Sequence, residues 1–129
     1  MKVLIPLITK QENNPAFLEE AAGKAKEVVL LAIVDDDVLA KGRFGFAANE
    51  IRHSNAFLAE VKQLLEKKGK EVKDISEWGD TERKICNIAK LNHVSKVSLK
   101  KIDNAFFREL EAGLHRELKK DNIHVESIE

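Results

Sequence analysis

The sequence predicts an α/β domain, a mostly parallel sheet in a three-layer α/β/α sandwich. Three observations predict it. Apolar runs of strand length alternate strictly with segments of helical period along the chain. Two of those runs, Val3 to Ile8 (VLIPLI) and Val28 to Val34 (VVLLAIV), are apolar throughout, as strands covered on both faces must be. No Pro/Gly/Ser-rich linker, low-complexity tract or internal repeat interrupts the alternation, so one domain over residues 1–129 is expected.

Val3 to Ile8 is the first strand. Pro6 lies inside it; proline removes a ladder donor, so its place is near a strand end or where an N–H has no partner. Pro15 suits the first turn of a helix opened by Asn13 or Asn14. Phe17, Ala21, Ala22 and Ala25 are compatible with that helix despite Gly23. Val28 to Val34 is the second strand, ended by Asp35, Asp36 and Asp37. The segment Val38 to Ala48, with Gly42 and Gly45, reads as a loop. From about Ala48 to Lys68, Ile51, Phe57, Leu58, Val61, Leu64 and Leu65 recur at helical spacing. Lys67 and Lys68 suit the end of that helix and Gly69 its left-handed cap.

Glu71 to Trp78 alternates weakly and reads as a third strand ending at Gly79. Asp80 or Thr81 caps a third helix carrying Ile85, Cys86, Ile88, Ala89 and Leu91. Val94 to Leu99 is the fourth strand. Asp103 caps a fourth helix whose apolar stripe is Phe107, Leu110, Leu114 and Leu118. Ile123 to Ile128 closes the order as a fifth strand, with Ile123 and Val125 on one face.

Composition narrows the function classes. Lys plus Arg equal Asp plus Glu at 22 each, so the basic surplus that drives non-specific nucleic-acid binding is missing. Cys86 is the sole cysteine and can form neither an intrachain disulfide nor a thiolate metal site alone. The longest apolar run, Val28 to Val34, is far short of the ~20 residues that span a bilayer. The N-terminal apolar stretch is too short for a signal peptide, so a cytoplasmic protein without membrane insertion is expected.

In open α/β sheets, ligands sit beyond the carboxyl ends of the strands, where strand order switches. Those ends are Thr9 to Asn14, Asp35 to Asp37, Gly79 to Thr81 and Lys100 to Asn104. There the chain resembles the universal stress protein family. VLIPL resembles that family's first strand, and LLAIVDD its second strand and acidic turn. EWGDTERKICNIAK resembles its glycine-aspartate turn and third helix. The resemblance spans nearly the whole chain and implies strand order 3-2-1-4-5 and a homodimer paired through the fifth strand. Ile123, Val125 and Ile128 are the interface residues this implies. Independently, an edge strand with one apolar face and unpaired backbone groups recruits partners, although His124, Glu126 and Glu129 could equally guard that edge.

Nucleotide-binding members of the family carry glycine-x-x-glycine after the fourth strand, then nine residues and a glycine with serine or threonine. Glycines let backbone N–H groups close on phosphates, and the hydroxyl adds a donor. Here those positions read Lys100, Asp103, Gly113 and Leu114, and the family's acidic residue after the first strand falls on Ile8. A divergent member without ATP binding, and with no cofactor, is therefore expected. The residues placed around the crevice are Thr9, Asp36, Gly79, Lys100, Lys101, Asp103 and Gly113. The alternative is an AMP- or ATP-binding sensor with a variant phosphate site, in which Lys100 and Lys101 replace backbone contacts.

Other candidate chemistry has a plainer reading in each case. Asp35 to Asp37 could meet a hard cation, but lack the alternate spacing, turn glycine and distal glutamate of a calcium loop. Lys41 to Phe46 (KGRFGF) holds a G-x-x-G turn of the kind that clamps nucleic-acid backbone in KH domains, within the wrong strand order. His53, His93, His115 and His124 are scattered, with no i, i+4 pair for a metal. Cys86, among isoleucines in mid-helix, reads as a small buried hydrophobe and not a nucleophile. No G-x-S-x-G elbow, Walker lysine loop or paired-carboxylate motif occurs, so no enzyme and no catalytic or metal residue is expected. The expected role is a regulatory or stress-response module acting by dimerisation and protein–protein contact.

Overall fold

Residues 1–34 and 46–129 are described by a computed structural model. In chain order the elements are β1 (Lys2–Leu7), α1 (Pro15–Ala22), β2 (Glu27–Val34), α2 (Ile51–Lys67), β3 (Glu71–Trp78), α3 (Thr81–Leu91), β4 (Lys96–Lys100), α4 (Ala105–Leu118) and β5 (His124–Ile128). A 3-10 turn at Ala48–Glu50 leads into α2, and another at Lys119–Asp121 follows α4. The strands form one sheet in the order β3-β2-β1-β4-β5, and each neighbouring pair runs parallel.

Strand alternation divides the core in two. Val3, Ile5 and Leu7 of β1, with Val28, Leu30 and Ala32 of β2, pack under Phe17 and Leu18 of α1 and Leu58, Val61 and Leu65 of α2. Leu4, Ile8, Val29, Leu31 and Ile33 face the other way, onto Ile85 and Ile88 of α3 and Phe107, Leu110 and Leu114 of α4. Both faces of β1 and β2 are thus covered, which is why those two runs are apolar at every position. β3 is an edge strand, and its weak alternation matches its partly exposed residues.

Pro6 has a definite consequence. β1 pairs with β2 from Lys2 to Leu7, but with β4 only at Val3 and Leu4. The β1–β4 ladder stops short of the proline, which has no N–H to extend it. Above that point β4 pairs with β5 alone, from Ser98↔Glu126 to Lys100↔Ile128. This leaves the tips of β1 and β4 unpaired with each other at the switch point, where the crevice of such sheets lies.

The caps follow the local chemistry. Asn14 accepts from the N–H of Phe17 at 3.1 Å, Asp80 from Arg83 at 3.1 Å, and Gly69 takes the left-handed φ of 82° after α2. Gly23 ends α1 at a φ of 52°. The cap of α4 is Asn104 and not Asp103. Asn104 has the extended backbone a cap needs and accepts from the N–H of Phe107 at 2.7 Å, while Asp103 lies one residue too early. β4 starts two residues later than the apolar pattern predicts, because Val94 and Ser95 belong to the turn before it. Ile123, Val125 and Ile128, expected at a dimer interface, are only 7%, 4% and 4% exposed within the single chain. Their side chains belong to its two cores.

Candidate functional site

The crevice lies between the tips of β1 and β4. At the β1 tip the chain turns through Thr9 to Glu12, with Lys10 in the left-handed region at a φ of 65°. The carboxyl of Glu12 folds back over the strand end. Its Oε2 accepts from the Thr9 hydroxyl at 2.7 Å, the Thr9 N–H at 2.9 Å and the Ile8 N–H at 3.2 Å. The Thr9 N–H also reaches Oε1 at 3.3 Å, and the Thr9 hydroxyl accepts from the N–H of Gln11 at 3.1 Å. Glu12 is 0% exposed. Burial raises its carboxyl above the ordinary glutamate range, against the lowering effect of the Thr9 and Ile8 hydrogen bonds.

Beside this tip Lys10 reaches Glu50 at 3.2 Å and lies 5.2 Å from the centre of the Phe46 ring. The Ala47 N–H, donating to Glu50 at 2.8 Å, and then Lys10 hold the Glu50 carboxyl below its ordinary value. Phe46 also meets Phe57 of α2, with ring centroids 6.0 Å apart. At the end of β3, Gly79 adopts a φ of 137° that a side chain rarely takes, and its N–H donates to the Val34 carbonyl at 2.9 Å. Trp78, just before it, is half exposed.

The β4 tip is built differently. The Lys101 N–H donates to the Ile128 carbonyl at 2.7 Å, and its ammonium lies 3.6 Å from Glu129. Lys100 is half-buried and Ile102 packs against the core. Asp103 is fully exposed and pairs with Arg108 at 3.1 Å. Gly113 is far from any loop: it is buried inside α4, where a Cβ would meet the carboxylate end of the Glu82 side chain on α3.

Thus Thr9 and the Lys100–Asp103 run sit at the two lips of the crevice, Gly79 ends the neighbouring strand β3, and Gly113 lies within a helix. Asp36 lies outside the described residues, as do Asp35, Asp37 and the Lys41–Gly45 turn. Glu12 was missed, and its signal was the Thr-x-x-Glu spacing from Thr9, which normally marks a helix start. Cys86 is buried in the α3/α4 core. Burial, and then the nearby Glu82 carboxylate, push its thiol up to about 11, the reverse of what a nucleophile needs. Among the described residues no three His, Cys, Asp or Glu side chains are placed to hold a metal ion. No described helix is long and apolar enough to cross a membrane. A concavity of about 460 Å³ lies between α2 and β3, and two of its three charged residues, Lys62 and Asp74, pair with each other at 2.9 Å, the third being Glu66.

No family model matches the sequence, and no curated protein does. Solved structures do. The universal stress protein from Archaeoglobus fulgidus superposes with a TM-score of 0.71 at 16% identity, covering 100% of this chain and 93% of that one. The hypothetical protein MJ0577 gives 0.69 at 23% identity, covering 98% and 94%. A universal stress protein family member from Burkholderia pseudomallei gives 0.65 at 15% identity, covering 98% and 94%. The chain has the universal stress protein fold.

That fold fixes how the two lips compare with the family's glycine-x-x-glycine pattern. A phosphate loop needs free backbone N–H groups directed at the ligand, from the loop and from the first turn of the helix that follows it. In this chain residues 101–104 lie outside the helix, α4 starts at Ala105, and the Asn104 side chain takes the Phe107 N–H of its first turn. At the opposite lip Ile8, at the position of the family's acid, is 2% exposed and packed in the α3/α4 core.

Proposed function

We propose that this chain is a universal-stress-protein-like regulatory module. It acts in the cytoplasm during the stress response, through dimerisation and protein–protein contacts, without catalysis and without holding ATP in the family manner. One observation carries the reading. Asp103, the residue at the second glycine position, puts a fully exposed carboxylate just before α4, and the Asn104 side chain already takes the Phe107 N–H of the helix's first turn. Asp103 supports it further because its carboxylate, paired among the described residues only with the exposed Arg108, repels a polyanion at the β4 lip.

Dimerisation draws support from the sheet. Among the described residues β5 is hydrogen-bonded on one side only, so its outer edge offers backbone donors and acceptors to a second copy. β3, the other edge, carries Glu71, Lys73, Asp74 and Glu77, which guard it against pairing.

A thermal-shift titration with ATP, AMP and magnesium tests the nucleotide reading. No shift is expected, whereas a ligand at a hundred times its Kd would add about 2.7 kcal/mol. A saturable shift would overturn it and favour an adenine-nucleotide sensor that uses Lys100 and Lys101. Sedimentation velocity at micromolar protein tests the second half: a dimer is expected, and a strict monomer overturns it.

A further inference from the structure

At the tip of β1 three donors converge on one oxygen. The Thr9 hydroxyl, the Thr9 N–H and the Ile8 N–H all point at Oε2 of Glu12, at 2.7, 2.9 and 3.2 Å. Convergence of backbone and hydroxyl donors on a single oxygen is the arrangement by which proteins bind oxyanions. The cluster stands beyond the carboxyl end of the central strand, at the switch between β1 and β4, where ligands of such sheets bind.

A simple local role does not account for it. Thr-x-x-Glu ordinarily caps a helix, but residues 10–14 are not helical, and α1 starts at Pro15 with its own cap, Asn14. The buried Ile8 N–H needs one acceptor, but the part-buried Thr9 N–H and hydroxyl could turn to water at little cost. Here a glutamate is fully buried to reach them, although burying a carboxyl is unfavourable and raises its pKa.

The geometry points to an oxyanion-binding site at the tip of β1 that the chain keeps filled with its own Glu12 carboxyl. An external carboxylate or phosphate enters only where Glu12 is displaced. This concerns the β1 lip, whereas the nucleotide reading above stands on α4, so the two fail independently.

The test uses the full chain as wild type, Glu12→Ala, Glu12→Gln and the Thr9→Val/Glu12→Ala double variant. Each is melted in sodium formate, sodium phosphate or sodium chloride at matched ionic strength. Glu12→Ala is expected to gain about 4 °C in formate or phosphate over chloride once the anion exceeds its Kd roughly tenfold. Wild type and Glu12→Gln are expected to show no such difference, because the side-chain oxygen still fills the site. The double variant, with one donor removed, loses most of the gain. A response to formate alone assigns a carboxylate-bearing ligand, and a response to phosphate assigns a phosphorylated one; both support the site. Equal behaviour of Glu12→Ala in all three salts overturns it. So does a wild type that responds as strongly as the variant. Should Glu12→Ala fail to fold in chloride, recovery of its native circular dichroism in formate or phosphate is expected, and failure in both overturns the proposal.

Discussion

On the β1 side of the crevice a carboxyl group is fully buried among three donors, while on the β4 side Asp103 and Arg108 pair in open solvent at 3.1 Å. The two lips use the same chemistry in opposite surroundings. Where water is excluded, a donor that loses its partner cannot turn to solvent, so each unpaired donor is costly. Where water is present, the ion pair exchanges one set of contacts for another at little gain. The β1 lip is therefore rigidly specified, and the β4 lip tolerates change.

Breaking the buried lip has the largest expected effect. Glu12→Ala strands two backbone N–H groups and a hydroxyl, and should cost about 2–4 kcal/mol by urea unfolding. A loss below about 0.5 kcal/mol would mean that the donors find other partners.

The pH dependence of the same group sharpens the contrast. Burial raises the folded-state pKa of Glu12, so the native chain holds this proton more tightly than the unfolded one. Its contribution is complete below the unfolded value of 4.5 and declines as pH rises through the higher folded value. Relative to Glu12→Gln, wild type should therefore lose stability as pH rises above 4.5. Parallel curves for the two proteins would contradict the buried, titrating carboxyl.

On the β4 side the effects shrink. Asn104→Ala removes the cap of α4 and should cost about 1 kcal/mol. Gly113→Ala has the opposite sign. The atom its Cβ would meet is the mobile end of Glu82, which can swing aside, so the better helix former should stabilise by up to about 1 kcal/mol. Destabilisation instead would show Glu82 locked in place. Asp103→Asn, at a fully exposed carboxylate, should leave the melting temperature unchanged within error.

The architecture was legible in the sequence because its strongest signals are physical necessities. VVLLAIV has no polar face because β2 is covered on both sides, and Gly69 marks the end of α2 because only glycine enters the left-handed region freely. Signals of one residue's precision were weaker. Asp103 and Asn104 are both good caps, and only the backbone decides that Asn104 reaches Phe107. Ile123, Val125 and Ile128 read as an apolar edge, but the pattern does not say that their own chain covers them. Of the crevice, the strand ends were readable and the occupant was not. Glu12 imitates a helix-start motif, and its burial comes from a turn closed through a left-handed Lys10.

The proline in β1 bears on how this sheet comes apart. Every other junction is laced through at least five residue pairs, while the seam between β1 and β4 is held by two. A fluctuation or a pulling force that separates strands meets the least backbone resistance along that line. The mechanical weak point of the molecule thus coincides with its crevice, and an imino acid sets it.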